Sequence, residues 1–193
     1  MNTVEELEFS EFPILETKRL ILREPVVTDA ADFFVFQSDP YVQRYNMKPL
    51  KNVSRAEEMI ERSRAIYSRH DGILWAVTLK GQDTVIGSVG FSAWSYHNRA
   101  MLGYDLALAY WGRGIGSEAV RAIIRFGFER MGLNRIEAET IEDNHESRRM
   151  LEKLEFTCEG IRRGYSLEDD GEYHGSAMYG LLRSEYNPTG MDG

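Results

Sequence analysis

The stretch that decides the fold is AYWGRGIGSEAV, residues 109–120, which has glycines at positions 112, 114 and 116. An apolar run precedes it and a segment of helical periodicity follows it, so the glycines lie in a strand-to-helix connection. The first amides of a helix have no partner within the helix and carry the positive end of its dipole. Glycine lacks the Cβ atom that would keep an anion away. The stretch is therefore typical of a pyrophosphate-binding backbone, although a tight turn that binds nothing uses the same residues.

Two other phosphate-binding loops fit this stretch less well. A P-loop ends in Gly-Lys-Ser/Thr, whereas residues 116–118 read GSE. A dinucleotide-binding loop has Gly-x-Gly-x-x-Gly in an opening βαβ unit, but the last position counted from Gly112 is Ser117. An oxidoreductase stays open as an alternative, because Glu137 and Glu139 lie near the position, about 20 residues past the loop, of a ribose-binding acid.

Composition indicates one globular protein of ordinary character. The chain has 193 residues, 42% of them hydrophobic, and a formal net charge of −8, which makes it a poor candidate for binding nucleic acid. The sequence shows neither a secretory signal nor an apolar run of about 18 residues, so we expect a cytoplasmic protein with no membrane partner. No group of residues has the spacing of a metal site. The single cysteine, Cys158, is expected in the core.

Periodicity and turn residues predict an α/β fold with a mixed sheet. The predicted strands are 19–24, 73–79, 84–94, 100–108 and 134–141, the helices are 27–40, 54–69, 116–131 and 147–156, and a final hairpin covers 158–182. Thr28 is the expected N-cap of the first helix, and Ser54 belongs to a capping box that opens the second. We expect one domain over residues 14–184, with an arm at 1–13 and a tail at 185–193.

A second segment, NHESRRMLEKLEF at 144–156, follows the strand after the glycines. Together with YWGRGIGSEA it resembles the GNAT superfamily of acetyl-CoA-dependent N-acetyltransferases. Residues 15–45 and the closing EGIRRGY and GEYHGSAMYGLL are similar to its ribosomal-protein alanine/serine N-terminal acetyltransferase branch, the Rim type. The resemblance covers nearly the whole chain. It implies a mixed, mostly antiparallel sheet with helices on both faces.

The resemblance also implies acetyl-CoA as the co-substrate. The family motif Gln/Arg-x-x-Gly-x-Gly/Ala falls on residues 111–116, with Trp111 in the first position, as is usual in the Rim-type branch. The strand before the loop would splay from its neighbour and offer its backbone to pantetheine, and Asn144 would contact the cofactor arm or cap a helix. The implied cofactor-binding residues are Leu106, Leu108, Gly112, Arg113, Gly114, Ile115, Gly116, Ser117 and Asn144.

Acetyl transfer requires a neutral amine, and alkyl amines have a pKa near about 10, so a base is expected. The resemblance makes Glu139, five residues before the asparagine, a base candidate, and the strand beside the reaction centre supplies a second, Asp105. Ser147, three residues after the asparagine, is the acid candidate or a hydrogen-bond donor to the sulfur. Each has a structural alternative, which is a helix first-turn residue for Ser147 and a solvent-facing carboxylate for Asp105 and Glu139.

Two departures from the family pattern bear on catalysis. The tyrosine that many relatives carry seven residues after the asparagine is Leu151 here, and an acidic position common in the branch is Met101. We expect an enzyme that moves an acetyl group to a primary amine, either a protein N-terminal α-amine or a small amine, by direct attack in a ternary complex. A non-catalytic acyl-CoA-binding module that acts as a sensor or interaction domain remains the alternative. A homodimer is compatible with the resemblance.

Overall fold

An eight-stranded sheet forms the centre of the computed structural model, which describes residues 11–95, 97–168 and 170–188. In space the strands follow the order β1-β2-β3-β4-β5-β6-β8-β7, and among the pairs of the described chain β5–β6 alone is parallel. The mostly antiparallel prediction is confirmed, and the doubly wound parallel sheet of a dinucleotide-binding oxidoreductase is excluded. The strands are β1 (Leu15–Glu16), β2 (Leu20–Arg23), β3 (Ile73–Leu79), β4 (Val85–Ser95), β5 (Arg99–Leu106), β6 (Arg135–Ile141), β7 (Thr157–Leu167) and β8 (Tyr173–Leu182).

Helices cover both faces of the sheet. Two short 3-10 turns, Val27–Asp29 and Leu108–Tyr110, accompany α1 (Ala30–Gln37), α2 (Pro40–Gln43), α3 (Val53–Ser68), α4 (Ile115–Glu129) and α5 (His145–Lys153). Successive side chains of β3 point to opposite faces of the sheet and so pack into two different hydrophobic clusters. Trp75 packs in the cluster with α4 and α5, and Ala76 packs in the cluster with α1 and α3. Within the described ranges, no helix combines the length and apolar character needed to cross a membrane.

The helix starts differ from two predictions. The helix predicted over 27–40 is divided into a 3-10 turn, α1 and α2, and Thr28 lies inside the 3-10 turn instead of capping a helix. The third helix begins before Ser54, because Asn52 is its N-cap and accepts a hydrogen bond of 3.1 Å from the Arg55 amide. Cys158 is exposed on the edge strand β7, so its predicted place in the core was wrong.

The parallel strands β5 and β6 separate after a short contact. Their register runs from Arg99 opposite Arg135 to Met101 opposite Glu137. Beyond Met101, β5 continues to pair with β4, and β6 continues to pair with β8. The two strands therefore enclose a V-shaped opening between residues 102–106 and 138–141, as the resemblance implied.

The start of α4 is tied to the first strands through Glu118. Its carboxylate accepts hydrogen bonds from the Thr17 hydroxyl (2.6 Å), the Arg19 amide (2.9 Å) and Arg19 Nε (2.6 Å). Arg19 Nη1 also donates to the Arg113 carbonyl at 2.9 Å. Burial would raise the pKa of Glu118, but the donors of Thr17 and Arg19 outweigh it and hold the pKa below its usual value. These bonds fix the glycine loop to the sheet.

Replacing Gly90 with alanine is expected to lower the free energy of unfolding by about 1–3 kcal/mol. A Cβ at this position in β4 would lie 2.4 Å from the Ile73 carbonyl oxygen and 3.1 Å from the Leu74 Cα, so the two strands would have to move apart. The control is Gly103→Ala in β5, where the added Cβ meets nothing within 4 Å. Urea denaturation compares the variants, and equal stabilities would contradict this close approach.

Glu118→Gln is expected to lower the free energy of unfolding by about 1–2 kcal/mol at pH 7, because hydrogen bonds to a charged acceptor are lost. Since the folded-state pKa of Glu118 is lowered, the carboxylate stabilises the fold above its unfolded pKa of about 4.3, and this contribution disappears as the pH falls through the folded pKa. The difference from the natural chain should therefore shrink below about pH 4.

The control for this experiment is Glu58→Gln in α3. Glu58 pairs with Arg55 at 2.6 Å, but the two side chains are 61% and 63% exposed, so the change should be below about 0.5 kcal/mol. Denaturation of both variants is measured across pH. A destabilisation by Glu118→Gln that stays constant from neutral to acid pH would contradict the role assigned to its charge.

Candidate functional site

A cleft of about 600 Å³ lies where β5 and β6 separate. The loop before α4 and the first turns of α5 form one side, and the residues that follow α2 form the other. Leu108 and Arg113 are not among its lining residues, since Leu108 is exposed in the 3-10 turn and the Arg113 guanidinium lies over the Tyr110 ring. The predicted residues that line the cleft are Asp105, Leu106, Gly112, Gly114, Ile115, Gly116, Ser117, Glu139, Asn144 and Ser147.

The glycine loop leaves the beginning of α4 open. Gly112 and Gly114 both have a φ of +71°, a conformation that favours glycine. Gly114 is the N-cap of α4 and has no side chain to bond the first-turn amides. Arg149 and Lys153 of α5 line the same cleft. Open backbone, an uncapped helix N-terminus and nearby cations together fit a diphosphate group.

The end of β5 presents backbone groups to the opening. The Ala107 amide donates to the Ile86 carbonyl of β4 at 2.8 Å. Because successive residues of a strand direct their amides to opposite sides, the amides of Tyr104 and Leu106 point toward the opening. The Leu106 carbonyl already accepts a hydrogen bond of 2.6 Å from Trp111 Nε1. The Leu106 amide is therefore placed to pair with an extended amide chain, whereas Leu108 lies beyond the strand.

Ser147 is paired with a tyrosine that was not predicted from the sequence. Asn144 caps α5 by accepting the Ser147 amide at 3.2 Å, and the Ser147 Oγ lies 2.6 Å from the Tyr104 hydroxyl. Burial raises the pKa of Tyr104 to about 12, so its phenol is protonated at neutral pH. Leu151, at the position of the family tyrosine, is fully buried in the core. Strand alternation alone indicates that the Tyr104 side chain lies on the same face of β5 as that of Leu106. It does not indicate that Tyr104 contacts Ser147, which lies on α5.

Asp105 projects to the opposite face of β5, where neutral amides hold it. Gln37 Nε2 donates to Oδ2 at 3.1 Å, while Gln43 Nε2 at 3.1 Å and Asn46 Nδ2 at 2.7 Å donate to Oδ1. Burial raises the pKa of Asp105, and the three amide donors oppose that shift. The carboxylate is thus fixed in position at the cleft.

Glu139 lines the cleft from β6 and has a different environment. The Ser176 hydroxyl donates to its Oε1 at 2.5 Å, and Arg162 Nη1 lies 3.7 Å from its Oε2. Its side chain is 31% exposed. Both oxygens of this carboxylate therefore already have a partner.

Arg44, which was also not predicted, joins the two sides of the cleft. Its Nη2 donates to Glu146 of α5 at 2.6 Å, and its Cζ lies 3.9 Å from the ring centroid of Tyr41 and 5.4 Å from that of Trp111. The guanidinium therefore connects the end of α2 to the first turn of α5. No sequence signal distinguishes it from the other arginines of the chain.

Comparison with known proteins identifies the family. The family model described as an acetyltransferase (GNAT) domain matches residues 19–157. The chain is 36% identical over 174 residues to the uncharacterized N-acetyltransferase YoaA of Bacillus subtilis, covering 89% of this chain and 98% of that protein. It is 37% identical over 174 residues to the uncharacterized N-acetyltransferase p20 of Bacillus licheniformis, covering 89% and 97%.

A solved structure agrees with this assignment at the level of the fold. RimL, described as a ribosomal L7/L12 α-N-protein acetyltransferase in complex with coenzyme A, matches with a TM-score of 0.82 and 19% identity, over 90% of this chain and all of that one. The family match extends over most of the chain, and the two Bacillus relatives are matched over nearly their whole length. The chain therefore belongs to the GNAT family of acetyl-CoA-dependent N-acetyltransferases.

Proposed function

We propose that this chain transfers the acetyl group of acetyl-CoA to a primary amine by direct attack in a ternary complex. The observation that carries the proposal is that one cleft extends from the open N-terminus of α4, through the splayed strands, to the carboxylates of Asp105 and Glu139. In the reaction the amine nitrogen attacks the thioester carbonyl carbon, the C–N bond forms and the C–S bond breaks. Coenzyme A leaves as a thiol after the sulfur gains a proton, and the amine loses one.

The glycine loop and the end of β5 would hold the co-substrate. The backbone of residues 112–117 would bind the diphosphate, the Leu106 amide would pair with pantetheine, and the Asn144 side-chain amide keeps its N–H groups to donate to the cofactor arm. Bound acetyl-CoA supplies the activated acetyl group. The carbonyl oxygen becomes an oxyanion during the attack and requires a donor, which a backbone amide of β5 near position 106 would provide.

The hydroxyl pair of Ser147 and Tyr104 is suited to protonating the sulfur. A thiol has a pKa of about 8.5, so its anion needs modest assistance from a donor. The two hydroxyls are 2.6 Å apart, and the Tyr104 phenol, whose pKa burial raises to about 12, is protonated at neutral pH like any ordinary phenol. In this assignment Ser147 donates to the sulfur and Tyr104 donates to Ser147. In this chain the phenol therefore comes from Tyr104 on β5. The position seven residues after Asn144, where many relatives carry a tyrosine, is Leu151 and has no hydroxyl.

Of the two carboxylates at the cleft, Asp105 is the one we assign to accept the proton of the amine. Burial raises the pKa of Asp105, which brings its proton affinity closer to that of a base working near neutral pH. The oxygens of Glu139 are already engaged, since Oε1 accepts the Ser176 hydroxyl and Oε2 lies 3.7 Å from Arg162 Nη1. We therefore assign Asp105 as the general base, with Glu139 contributing charge at the cleft.

The acceptor is a primary amine, either a protein N-terminal α-amine or the amine of a small molecule. RimL, whose fold the chain shares, is described as acting on a ribosomal protein α-amine. That likeness supports an N-terminal amine, and the raised proton affinity of Asp105 suits either class. A thiol-release screen with acetyl-CoA over small primary amines and over peptides beginning with Ala or Ser separates the two.

Calorimetric titration should show acetyl-CoA binding, with NADH and ATP as comparison ligands that bind more weakly. Gly116→Val should weaken the binding at least about tenfold, because the larger side chain enters the cleft beside the helix N-terminus. An added Cβ at position 116 would lie 3.7 Å from Met150 Sδ and 3.9 Å from Leu106 Cδ2, both ordinary van der Waals contacts, and a thermal denaturation of the variant checks that it remains folded. Ala122→Val on α4, outside this cleft, is the control. Unchanged affinity in Gly116→Val would overturn the assignment of the loop.

Conservative variants test the proton-transfer assignments in steady-state kinetics. We expect kcat to fall about 100-fold or more in Asp105→Asn and about 10- to 100-fold in Ser147→Ala and Tyr104→Phe, against less than about tenfold in Glu139→Gln. The double variant of Ser147 and Tyr104 should be little worse than Ser147→Ala, because the two hydroxyls act as one unit. A larger loss of kcat in Glu139→Gln than in Asp105→Asn would mean that Glu139, and not Asp105, is the general base.

A further inference from the structure

The proton acceptor and the proton donor of the proposed reaction are held by different parts of the chain. The Asp105 carboxylate accepts hydrogen bonds from Gln43, the last residue of α2, and from Asn46, which follows it. Ser147 lies in the first turn of α5. The placement of one proton-transfer group relative to the other therefore depends on how residues 40–46 lie against α5.

An ion pair across the cleft joins these two parts of the chain. Arg44 follows Gln43 directly, Glu146 precedes Ser147 directly, and Arg44 Nη2 donates to Glu146 Oε2 at 2.6 Å. Among the described residues, no other hydrogen bond or ion pair connects residues 40–46 with α5. Both partners line the cleft, from its two sides. The pair therefore connects positions that lie directly beside the residues that hold or perform proton transfer.

Aromatic rings fix the direction of the Arg44 guanidinium. Its Cζ lies 3.9 Å from the ring centroid of Tyr41, 4.8 Å from that of Tyr45 and 5.4 Å from that of Trp111. Trp111 is itself fixed to the end of β5, because its Nε1 donates to the Leu106 carbonyl at 2.6 Å. The Arg44 side chain is 23% exposed. A guanidinium held in this way has little freedom left to lose on pairing, unlike one in an exposed surface ion pair.

The charge of Arg44 is directed to Glu146 and not to Asp105. The pKa of Asp105 is set by burial, which raises it, and by its amide donors, which oppose that shift. The guanidinium is balanced by the Glu146 carboxylate on the other side of the cleft. Loss of the ion pair would therefore change where the proton-transfer groups lie, and the ionisation of Asp105 would stay the same.

We propose that the Arg44–Glu146 ion pair sets the distance between Asp105 and Ser147 across the cleft. The inference rests on the proposed function, because the pair has this use only if these two residues transfer protons. A displacement of about 1 Å in reacting groups can lower the rate of a chemical step by about 100-fold. Arg44 and Glu146 act through the residues beside them, so both are positioning residues.

The test compares Glu146→Gln with Glu24→Gln, using acetyl-CoA and the most active of n-butylamine and peptides beginning with Ala or Ser. Glu24 is the matched control, because it pairs with Arg64 of α3 at 2.8 Å and both lie outside the cleft. We expect kcat to fall about 5- to 20-fold in Glu146→Gln, with the Kd for acetyl-CoA and the pH midpoint of kcat unchanged. Glu24→Gln should change kcat less than about twofold. Equal kcat values in the two variants, or a loss confined to acetyl-CoA affinity, would overturn the positioning role.

A double-mutant cycle shows whether the pair acts through Ser147. In the Ser147→Ala background, Glu146→Gln should lower kcat less than about twofold, because a reaction without the Ser147 hydroxyl no longer depends on where α5 places it. Arg44→Gln should lower kcat as Glu146→Gln does, whereas Arg44→Lys, which keeps a cation, should retain more of it. The double variant of Arg44 and Glu146 should be no worse than Arg44→Gln. Losses that simply add in either cycle would contradict the inference.

Amide hydrogen exchange tests the connection between the two segments without any acceptor. Exchange in residues 41–46 and 144–148 should become faster in Glu146→Gln and stay unchanged in Glu24→Gln. If amines release coenzyme A thiol but neither exchange nor kcat responds to Glu146→Gln, the acetyltransferase assignment stands and the positioning role is wrong. If exchange responds but no amine releases thiol, the ion pair does connect the two segments and the catalytic assignment of this chain is wrong.

Discussion

The structure depends on one limited interaction, the parallel pairing of β5 and β6. It covers the registers from Arg99 to Met101, and the two strands then follow different neighbours. Continued pairing would have satisfied the backbone of β5 internally and closed the sheet. Because the pairing stops, the Leu106 amide points into a cleft that a partner with its own amides can enter. The separation thus creates both the space and the hydrogen-bonding edge of the site.

The two sides of this cleft differ in charge. At one side the uncapped start of α4 presents backbone amides, and Glu118 with Arg19 fixes the loop without filling it. At the other side Asp105 presents a negative charge held by neutral amides. In the proposed reaction, the anionic co-substrate would bind at the first side and the amine acceptor at the second. The thioester carbon and the amine nitrogen would then meet where the strands diverge.

Local signals in the sequence were enough to predict α4, its glycine loop and most strands, because periodicity and glycine conformation act over a few residues. The predicted helix caps were less accurate, since Asn52 and Ser54 are both residue types that cap helices and the structure uses Asn52. The partners of the catalytic candidates could not be predicted. Tyr104 meets Ser147 across 43 positions and Asp105 meets Gln43 across 62. Such contacts are set by how α2 and α5 pack on the sheet, which no local pattern encodes.

The two sides of the cleft are built in different ways. The co-substrate side is built largely from one continuous stretch, residues 109–120, and much of it is backbone. The acceptor side is built from side chains that several separate segments contribute, including Gln37, Gln43, Asn46 and Glu139. If the proposed function holds, substitutions in these segments would alter which amine is accepted without changing the backbone of residues 109–120. One side of the cleft is therefore set by a single run of backbone, and the other by side chains that can be exchanged one at a time.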